Sequence, residues 1–238
     1  MIEVSGLTVR FGGVTPLDGM DVRFEAGTCG LIGPNGAGKT TFFNVISGCV
    51  RPVAGTVHAF GEDLLRMAHF RRARWGVRRT FQTEQAIEEL SVYDNVAMIH
   101  EHSKLSGGSR RRDVLDAIAF VGLRAGAETK VGTLGAADRR LVEVARAVVG
   151  HPRLVLLDEP AAGLPDAETA HLGEVIRAIP EHTGALTILV DHDMSLVSSC
   201  CVVTAVLDFG KLLASGPTDE VLRNERVVRA YLGAEDVQ

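Results

Sequence analysis

The sequence predicts an α/β domain: a parallel β-sheet with helices on both faces, a small antiparallel β part at the N-terminus, and an inserted helical unit. Three observations support this fold class. Residues 154–157 form a continuous apolar run, and residues 185–190 form a run that is apolar except at Thr187; a helical stretch separates the two, which is the pattern of a buried βαβ unit. The first residues alternate apolar and polar side chains, as half-buried strands do. Residues 64–123 instead carry helical stretches rich in arginine.

The N-terminal part predicts two half-buried strands followed by one buried strand. We place strands over 3–10 and 20–24, with a turn at 25–27, and a short apolar strand over 29–32. A glycine-rich turn then leads into a helix that starts over 40–46, and residues 55–59 return to extended structure. The glycine-rich turn therefore joins a buried strand to a helix.

The C-terminal half predicts the elements that complete the sheet. Helical spacing connects five apolar residues before a stop at His151-Pro152, namely Leu141, Val144, Ala145, Val148 and Val149. The elements predicted after this helix are the strand at 154–157, a helix over 167–178, strands over 185–190, 202–207 and 211–215, and a helical end over 217–232. The alternation of strands and helices is what indicates a parallel sheet.

Composition is that of an ordinary globular protein and excludes several classes. Hydrophobic residues make up 46% and charged residues 23%, with a net charge of −5, so no global basic character points to nucleic acid. The four cysteines form no C-x-x-C pair, so we expect reduced, mostly buried thiols. No apolar run reaches the roughly 18–20 residues that span a bilayer, so we expect any membrane connection to come through a partner.

A phosphate-binding loop occupies the glycine-rich turn. Residues 33–40 match G-x-x-x-x-G-K-[ST] without a gap. Glycines let backbone N–H groups curl around phosphates, and the following helix N-terminus adds partial positive charge. Lys39 is expected to reach the β- and γ-phosphates of ATP, and the Thr40 hydroxyl to bind Mg²⁺. The predicted nucleotide-binding residues of this segment are Asn35, Gly36, Ala37, Gly38, Lys39, Thr40 and Thr41.

Two acids and one histidine end the buried strands. Asp158 and Glu159 follow the apolar run 154–157, and His192 follows the run 185–190. Because the carboxyl ends of parallel strands face the ligand crevice, these side chains are expected to lie near the phosphate loop. Asp158 is predicted to hold Mg²⁺ and Glu159 to polarise the attacking water as general base. His192 is predicted to sense the γ-phosphate.

Taken together, these motifs resemble those of the ABC ATPase superfamily over residues 4–232. The resemblance implies a RecA-like P-loop NTPase core, formed by 1–83 and 151–238, and a helical subdomain over 84–150. It implies that Phe11 stacks on adenine. It also implies that Gln82, in the Q-loop, touches Mg²⁺ and water. Residues 161–166 occupy the D-loop position, and His192 matches the switch histidine.

The subfamily most similar to this sequence is that of bacterial branched-chain amino-acid importer ATPases. The motifs that carry this resemblance are Arg10-Phe11-Gly12-Gly13, Arg79-Thr80-Phe81-Gln82, Glu159-Pro160-Ala161-Ala162-Gly163-Leu164, Asp191-His192-Asp193-Met194 and Ala230-Tyr231-Leu232-Gly233. The implied partners are permease subunits, a second ATPase subunit in a homo- or heterodimer, and indirectly a solute-binding protein. The implied location is the cytoplasmic face of the cell membrane.

The signature motif of the superfamily, L-S-G-G-Q, has two possible equivalents. Residues 105–109 read Leu-Ser-Gly-Gly-Ser, but they lie 53 positions before Asp158, whereas the signature leucine should lie 24 before it. Leu134 has that spacing and precedes a helix. The predicted signature, which would face ATP bound to the opposite subunit, is therefore Leu134, Gly135, Ala136, Ala137 and Asp138. Because Gly135 replaces serine and Ala137 replaces glycine, we expect a weakened half-site.

Other readings of the sequence remain open. Arginines cluster over 66–79 and 110–112, which we interpret as a solvated helix face rather than a nucleic-acid surface, since the overall charge is negative. Ser91–Asn95 also resembles lipopolysaccharide-export ATPases, and urea or amide import is a further alternative. A weakly active partner cassette in a heterodimer fits the altered signature. ABC ATPases that act on ribosomes or DNA usually carry two cassettes or a long coiled coil, which this sequence lacks.

Overall fold

The computed structural model describes residues 1–101 and 109–235. In chain order its strands and helices are β1 (Ile2–Phe11), β2 (Val14–Phe24), β3 (Thr28–Ile32), α1 (Lys39–Ser47), β4 (Ala54–Ala59), β5 (Glu62–Asp63), α2 (His69–Trp75), β6 (Val77–Arg79), α3 (Val92–Glu101), α4 (Arg110–Phe120), α5 (Ala136–Val148), β7 (Leu154–Asp158), α6 (Asp166–Thr183), β8 (Leu186–Val190), α7 (Met194–Cys200), β9 (Val203–Asp208), β10 (Lys211–Pro217), α8 (Thr218–Leu222) and α9 (Glu225–Glu235). Short 3₁₀ turns lie at Leu64–Arg66 and Val131–Thr133.

The strands form two sheets. An antiparallel sheet has the order β2-β1-β4-β5, and a six-stranded sheet has the order β10-β9-β3-β8-β7-β6. In the second sheet β9, β3, β8, β7 and β6 are parallel, and β10 pairs antiparallel with β9. The predicted α/β fold class, with an antiparallel β part at the N-terminus, is confirmed. The carboxyl ends of β3, β7 and β8 lie side by side, which brings the segments after them to one edge.

The central strands are apolar on both sides because each face of the sheet contacts a different core. Along β7, Val155 and Leu157 belong to the core formed with α3–α6, whereas Leu154 and Leu156 belong to the core formed with α1 and the antiparallel sheet. All four side chains are fully buried. Burying each such side chain stabilises the fold by roughly 1.5–3 kcal/mol, so this strand is firmly held where it presents its last residue, Asp158.

The prediction of helical stretches within 64–123 did not include a strand, and it is wrong at β6. Residues Val77–Arg79 form an edge strand that pairs in parallel with β7. Three residues, two of them arginines, carry no apolar alternation, so the sequence pattern gave no strand signal. The partner β7 supplies the hydrogen bonds that make this segment extended. Strand β6 ends directly before the segment predicted to be the Q-loop.

The reading of the arginines at 66–79 as a solvated helix face is wrong for three of them. Arg72 is buried and donates to the carbonyls of Val45 and Ile46 at the end of α1. Arg78 is buried against the carbonyls of Ala73 and Val77, and burial lowers its pKa to about 10. Arg79 pairs with a carboxylate, as described below. The exposed members are Arg66, Arg71 and Arg74, together with Arg110–Arg112.

Helices α3, α4 and α5 pack on one another beside the core helix α6. Asn95, which is fully buried in α3, fixes the segment that leads into them: its amide group bonds to the N–H and the carbonyl of Ile87 and to the carbonyl of Ser91. His100, which is buried, and Asp113, which is partly buried, form a second link, 2.8 Å long, between α3 and α4. None of the helices in the described residues combines the length and apolar character that crossing a bilayer requires.

Candidate active site

The phosphate loop follows β3 and opens α1, as predicted, and its backbone is closely packed at two glycines. Gly33 has φ 152°, and a Cβ there would lie 2.2 Å from the carbonyl oxygen of Leu207. Gly38 has φ 109°, and a Cβ there would lie 2.3 Å from the carbonyl oxygen of Pro16. No side chain can occupy these positions without moving the backbone. The two glycines therefore fix the curvature of a loop whose peptide groups can approach phosphate closely.

Lys39 supplies a buried cation inside this loop. Its amine donates to the carbonyl oxygens of Gly33 at 2.6 Å and Pro34 at 2.9 Å. Burial lowers the pKa of Lys39, while the nearby carboxylates Glu159 and Asp158 act in the opposite direction. The Lys39 amine is thus held at the mouth of the loop, at the position expected for a phosphate-binding lysine.

The remaining loop residues surround the start of α1. Gly38 is the N-cap of this helix, and no side chain caps it, so its first peptide N–H groups are available to a ligand. Asn35, Gly36 and Thr40 are exposed, Thr41 is half-buried, and Ala37 is buried. An uncapped helix N-terminus that begins with lysine and threonine fits the triphosphate of a nucleotide.

Asp158 and Glu159 lie at the carboxyl end of β7 with different surroundings. Asp158 is 4% exposed, and its N–H donates to the Thr80 hydroxyl at 3.1 Å. Glu159 is half-buried and has φ 49°, a left-handed conformation that is uncommon outside glycine. The Glu159 N–H donates to the carbonyl of Val190 on β8 at 2.8 Å. Such local strain is frequent at functional sites, where the surrounding structure holds it.

The three residues predicted to be catalytic come together around the Glu159 carboxylate. The Gln82 amide nitrogen donates to Oε2 at 2.8 Å, and His192 Nε2 lies 3.1 Å from Oε1. Gln82 and His192 are exposed, so this cluster is accessible to solvent. Residues that are 77 and 33 positions from Glu159 along the chain therefore meet at one carboxylate. The arrangement can orient a water molecule next to a base.

Arg79 is a member of the site whose role sequence reasoning missed. Its Nη2 lies 2.8 Å from Asp158 Oδ2, and the two side chains are 6% and 5% exposed. Its Nη1 donates to Asn44 Oδ1 at 2.6 Å. The sequence placed Arg79 in the Q-loop motif and also in a basic cluster, but neither pattern signalled an ion pair with Asp158, because strand β6 was not recognised.

Asp191 is a second residue whose role was missed. It is buried, and its carboxylate accepts from the N–H of Asp193 at 3.0 Å and of Ala161 at 3.3 Å. Burial raises the pKa of Asp191, and these backbone hydrogen bonds partly oppose that shift. Asp191 thereby ties the segment carrying His192 to the start of the D-loop segment. The only sequence signal was its position next to the histidine.

Among the described residues, neither Phe11 nor Leu134–Asp138 makes a side-chain hydrogen bond to this cluster. Phe11 ends β1, pairs with Val14 across the turn and is 53% exposed, so its ring is free to stack. Gly135 is the N-cap of α5, which begins at Ala136, so the predicted opening of a helix here is confirmed. Of the run 105–109, residues 105–108 lie outside the described residues. Only Ser109 is described, as the residue before α4.

The start of α5 borders an open cleft of about 460 Å³. The cleft is lined by Gly135–Asp138 from one side and by residues that include Leu164, Glu168 and His171 from α6 and the segment before it. Among the described residues that line it, none belongs to the phosphate loop. The backbone of Gly135 is extended, and a Cβ there would meet nothing within 4 Å. This helix N-terminus therefore faces outwards, not towards the chain's own loop.

The residues expected to hold Mg²⁺ fit that ion when a nucleotide supplies the other ligands. Within the described residues, no group of three or more histidine, cysteine or acidic side chains can form a metal site alone. Mg²⁺ commonly uses one or two carboxylates together with substrate phosphates and water. Thr40 and Gln82 are exposed, and Asp158 presents one oxygen, Oδ1, that accepts no hydrogen bond from the described residues. This donor set matches a nucleotide-dependent site.

Comparison with protein families and solved structures agrees with this geometry. The family model of the ABC transporter matches residues 17–162, and that of the branched-chain amino acid ATP-binding cassette transporter matches residues 211–237. Among solved structures, the ADP conformation of MJ1267, an ATP-binding cassette of an ABC transporter, superposes with a TM-score of 0.84 at 24% identity over 98% of both chains. The similarity to this solved structure confirms the fold.

Two curated relatives match nearly the whole chain. The high-affinity branched-chain amino acid transport ATP-binding protein BraF of Pseudomonas aeruginosa is 34% identical over 98% of each chain. The corresponding protein LivG of Escherichia coli is 35% identical over the same share. A phosphate loop, an acidic pair and a histidine assembled on this fold agree with these similarities. The chain therefore belongs to the ABC transporter family, as an ATPase of the branched-chain amino acid subfamily.

Proposed function

We propose that this chain is the ATP-hydrolysing subunit of an importer for branched-chain or related amino acids. The observation that carries the proposal is the convergence of Gln82 and His192 on the Glu159 carboxylate, next to a phosphate loop with a buried lysine. The names of BraF and LivG support the class of solute. The alternative solutes, lipids, urea and amides, have no comparable support among these relatives.

The reaction is ATP + H₂O → ADP + phosphate. The loop N–H groups and the Lys39 amine bind the β- and γ-phosphates and neutralise the charge that develops on the γ-phosphoryl group. Mg²⁺, held by Thr40, Gln82 and Asp158, supplies further charge neutralisation when it is bound. Glu159 orients and polarises the attacking water, and His192 contacts the γ-phosphate. Because Gln82 and His192 bond to separate oxygens of Glu159, they fix its carboxylate in one orientation.

Phe11 is proposed to hold the adenine ring by stacking, since it is exposed at the end of β1. We also propose that two cassettes close on ATP, with residues Leu134–Asp138 of one facing the phosphate loop of the other. The outward-facing N-terminus of α5 supports this, because a helix N-terminus attracts phosphate and the chain's own loop lies elsewhere. The solved dimer of the MJ0796 cassette has the same fold at a TM-score of 0.79.

The proposed partners are permease subunits, through which the chain sits at the cytoplasmic face of the cell membrane, and a second ATPase subunit that is identical or related. A solute-binding protein acts indirectly by delivering the amino acid. Nucleic acid is not a proposed partner, because the net charge is −5 and three of the clustered arginines make internal contacts.

The test of ATP hydrolysis uses the purified chain and two variants. Lys39→Ala should lose nucleotide binding, whereas Glu159→Gln should bind MgATP and lose at least about 100-fold in hydrolysis rate, since it keeps the shape but not the base. Nucleotide binding that survives Lys39→Ala unchanged would refute the site. Co-expression with its permease and binding protein, followed by leucine-stimulated ATPase assays in liposomes, tests the solute.

We further propose that the signature half-site is weakened, so that the cassette is less active as a homodimer than in a heterodimer. Gly135 removes the hydroxyl of the usual serine, and Ala137 adds a methyl group at the α5 N-terminus. Gly135→Ser is sterically free at this extended, open position. The double variant Gly135→Ser with Ala137→Gly should raise ATPase activity several-fold. Unchanged activity in this variant would rule out the weakened half-site.

A further inference from the structure

We propose that Arg79 is a positioning residue that acts through Asp158: its fixed positive charge lies against one oxygen of this carboxylate and limits how tightly the carboxylate holds Mg²⁺. The inference rests on the proposed function, because it concerns the magnesium that accompanies ATP. It goes beyond that function by assigning a role to a residue that is outside the phosphate loop and the catalytic cluster.

The first support is the buried ion pair itself. Arg79 Nη2 lies 2.8 Å from Asp158 Oδ2, and both side chains are at least nine-tenths buried. Each of the two charges offsets the cost of burying the other. Asp158 uses Oδ2 for the arginine and leaves Oδ1 without a hydrogen bond from any described residue. Arginine and Mg²⁺ would therefore share one carboxylate through different oxygens.

The second support is that the guanidinium is held from several sides. Asn44 Oδ1 and Ser47 Oγ of α1 lie 2.6 and 3.3 Å from Nη1. The rings of Phe43 and Phe81 lie 5.5 and 4.8 Å from the guanidinium carbon. These contacts fix the cation between the helix that the phosphate loop opens and the segment that carries Gln82. Arg79 is thus a permanent charge at the site and not a surface side chain that can turn away.

Two effects of removing this charge compete, and they predict opposite results. Losing the ion pair frees the Asp158 side chain to rotate, which would weaken Mg²⁺ binding. Losing the neighbouring cation makes the carboxylate attract Mg²⁺ more strongly, which would strengthen Mg²⁺ binding. The backbone of Asp158 stays fixed by its N–H bond to Thr80 and by its pairing with Val190 on β8, so rotation is limited to two side-chain torsions. The charge effect should therefore dominate.

The experiment measures how the binding of a fluorescent ATP analogue depends on Mg²⁺ concentration, using the purified full-length chain. Arg79→Gln should lower the half-saturating Mg²⁺ concentration about tenfold. Arg79→Lys loses the stacking and the forked hydrogen bonds but keeps the positive charge, so the Mg²⁺ requirement should stay within about threefold of the original protein. The matched control is Arg153→Gln, because Arg153 stacks on Trp75, away from the acids, and should leave the value unchanged.

Several outcomes would overturn the inference. An unchanged or higher Mg²⁺ requirement in Arg79→Gln contradicts the charge effect. A similar shift when Arg79→Gln is added to Asp158→Asn shows that the arginine does not act through Asp158. If Arg79→Gln fails to fold, a shift of tenfold in either direction in Arg79→Lys refutes the role of charge. If the unmodified protein does not bind the nucleotide even at saturating Mg²⁺, the proposed function is refuted instead. The failure of the inference and the failure of the proposed function therefore give different results.

Discussion

Two glycines in the phosphate loop offer a direct test of its packing, because they differ in their surroundings and not in their chemistry. Gly36 has φ 78°, and a Cβ there would meet nothing within 4 Å. Gly38 has φ 109°, and a Cβ there would lie 2.3 Å from the Pro16 carbonyl oxygen and 2.9 Å from Leu17 Cδ2. Gly36→Ala therefore measures the backbone strain alone, and Gly38→Ala measures the strain together with a collision.

Placing alanine in a left-handed conformation costs about 1–2 kcal/mol of unfolding free energy. The collision at Gly38 adds about 1–3 kcal/mol, the usual cost of overpacking, because a backbone carbonyl cannot rotate out of the way as a side chain can. We expect Gly36→Ala to lose about 1–2 kcal/mol and Gly38→Ala about 2–5 kcal/mol. Shifting Gly38 also displaces the start of α1, so the second variant should lose nucleotide affinity as well.

The assay is urea unfolding of both variants without nucleotide, followed by circular dichroism and analysed with a common slope. Leaving out nucleotide separates the stability of the loop from any contact between the new methyl group and phosphate. If Gly38→Ala is within about 0.5 kcal/mol of Gly36→Ala, the close approach between the phosphate loop and β2 is not present in solution, and the argument for a glycine at this position fails.

Three further predictions test other parts of the molecule. In the native protein Ellman's reagent should react rapidly at pH 8 with the exposed Cys49 alone, and Cys49→Ser should abolish this rapid phase. The other three cysteines are buried. Burial raises the pKa of Cys29 to about 12 and also raises the pKa values of Cys200 and Cys201, so their thiolates form only above the assay pH. Thr80→Val should lose about 1–3 kcal/mol in urea unfolding because the Asp158 N–H loses its acceptor, whereas Thr80→Ser should remain near the original value; equal losses would contradict this contact. Asn95→Leu should lower the free energy of unfolding by about 2–4 kcal/mol because three hydrogen bonds to the segment 87–91 disappear. The neutral control is Glu89→Ala at an exposed position of the same segment. A loss below about 1 kcal/mol in Asn95→Leu would count against the role of Asn95.

The sequence predicted the central strands well because their signal is local and strong. Residues 154–157 are apolar throughout and residues 185–190 are apolar except at Thr187, and both runs contact a core on each face of the sheet, as strands buried on both faces do. The body of α5 was predicted for a similar reason, from the helical spacing of apolar residues over 141–149, whereas its start came from the resemblance to the signature motif. The short edge strand β6 was missed because its extended shape is imposed by hydrogen bonds from β7 and not by its own residues.

Within the site, sequence and structure contributed different things. The sequence by itself determined the phosphate loop, the acidic pair and the histidine, because each motif is a contiguous stretch whose chemistry requires those residue types. Only the tertiary structure decided which side chains meet: Gln82 and His192 at Glu159, and Arg79 at Asp158. These contacts join residues from 33 to 79 positions apart, and such contacts depend on how strands are ordered in the sheet, which hydrophobic periodicity does not specify.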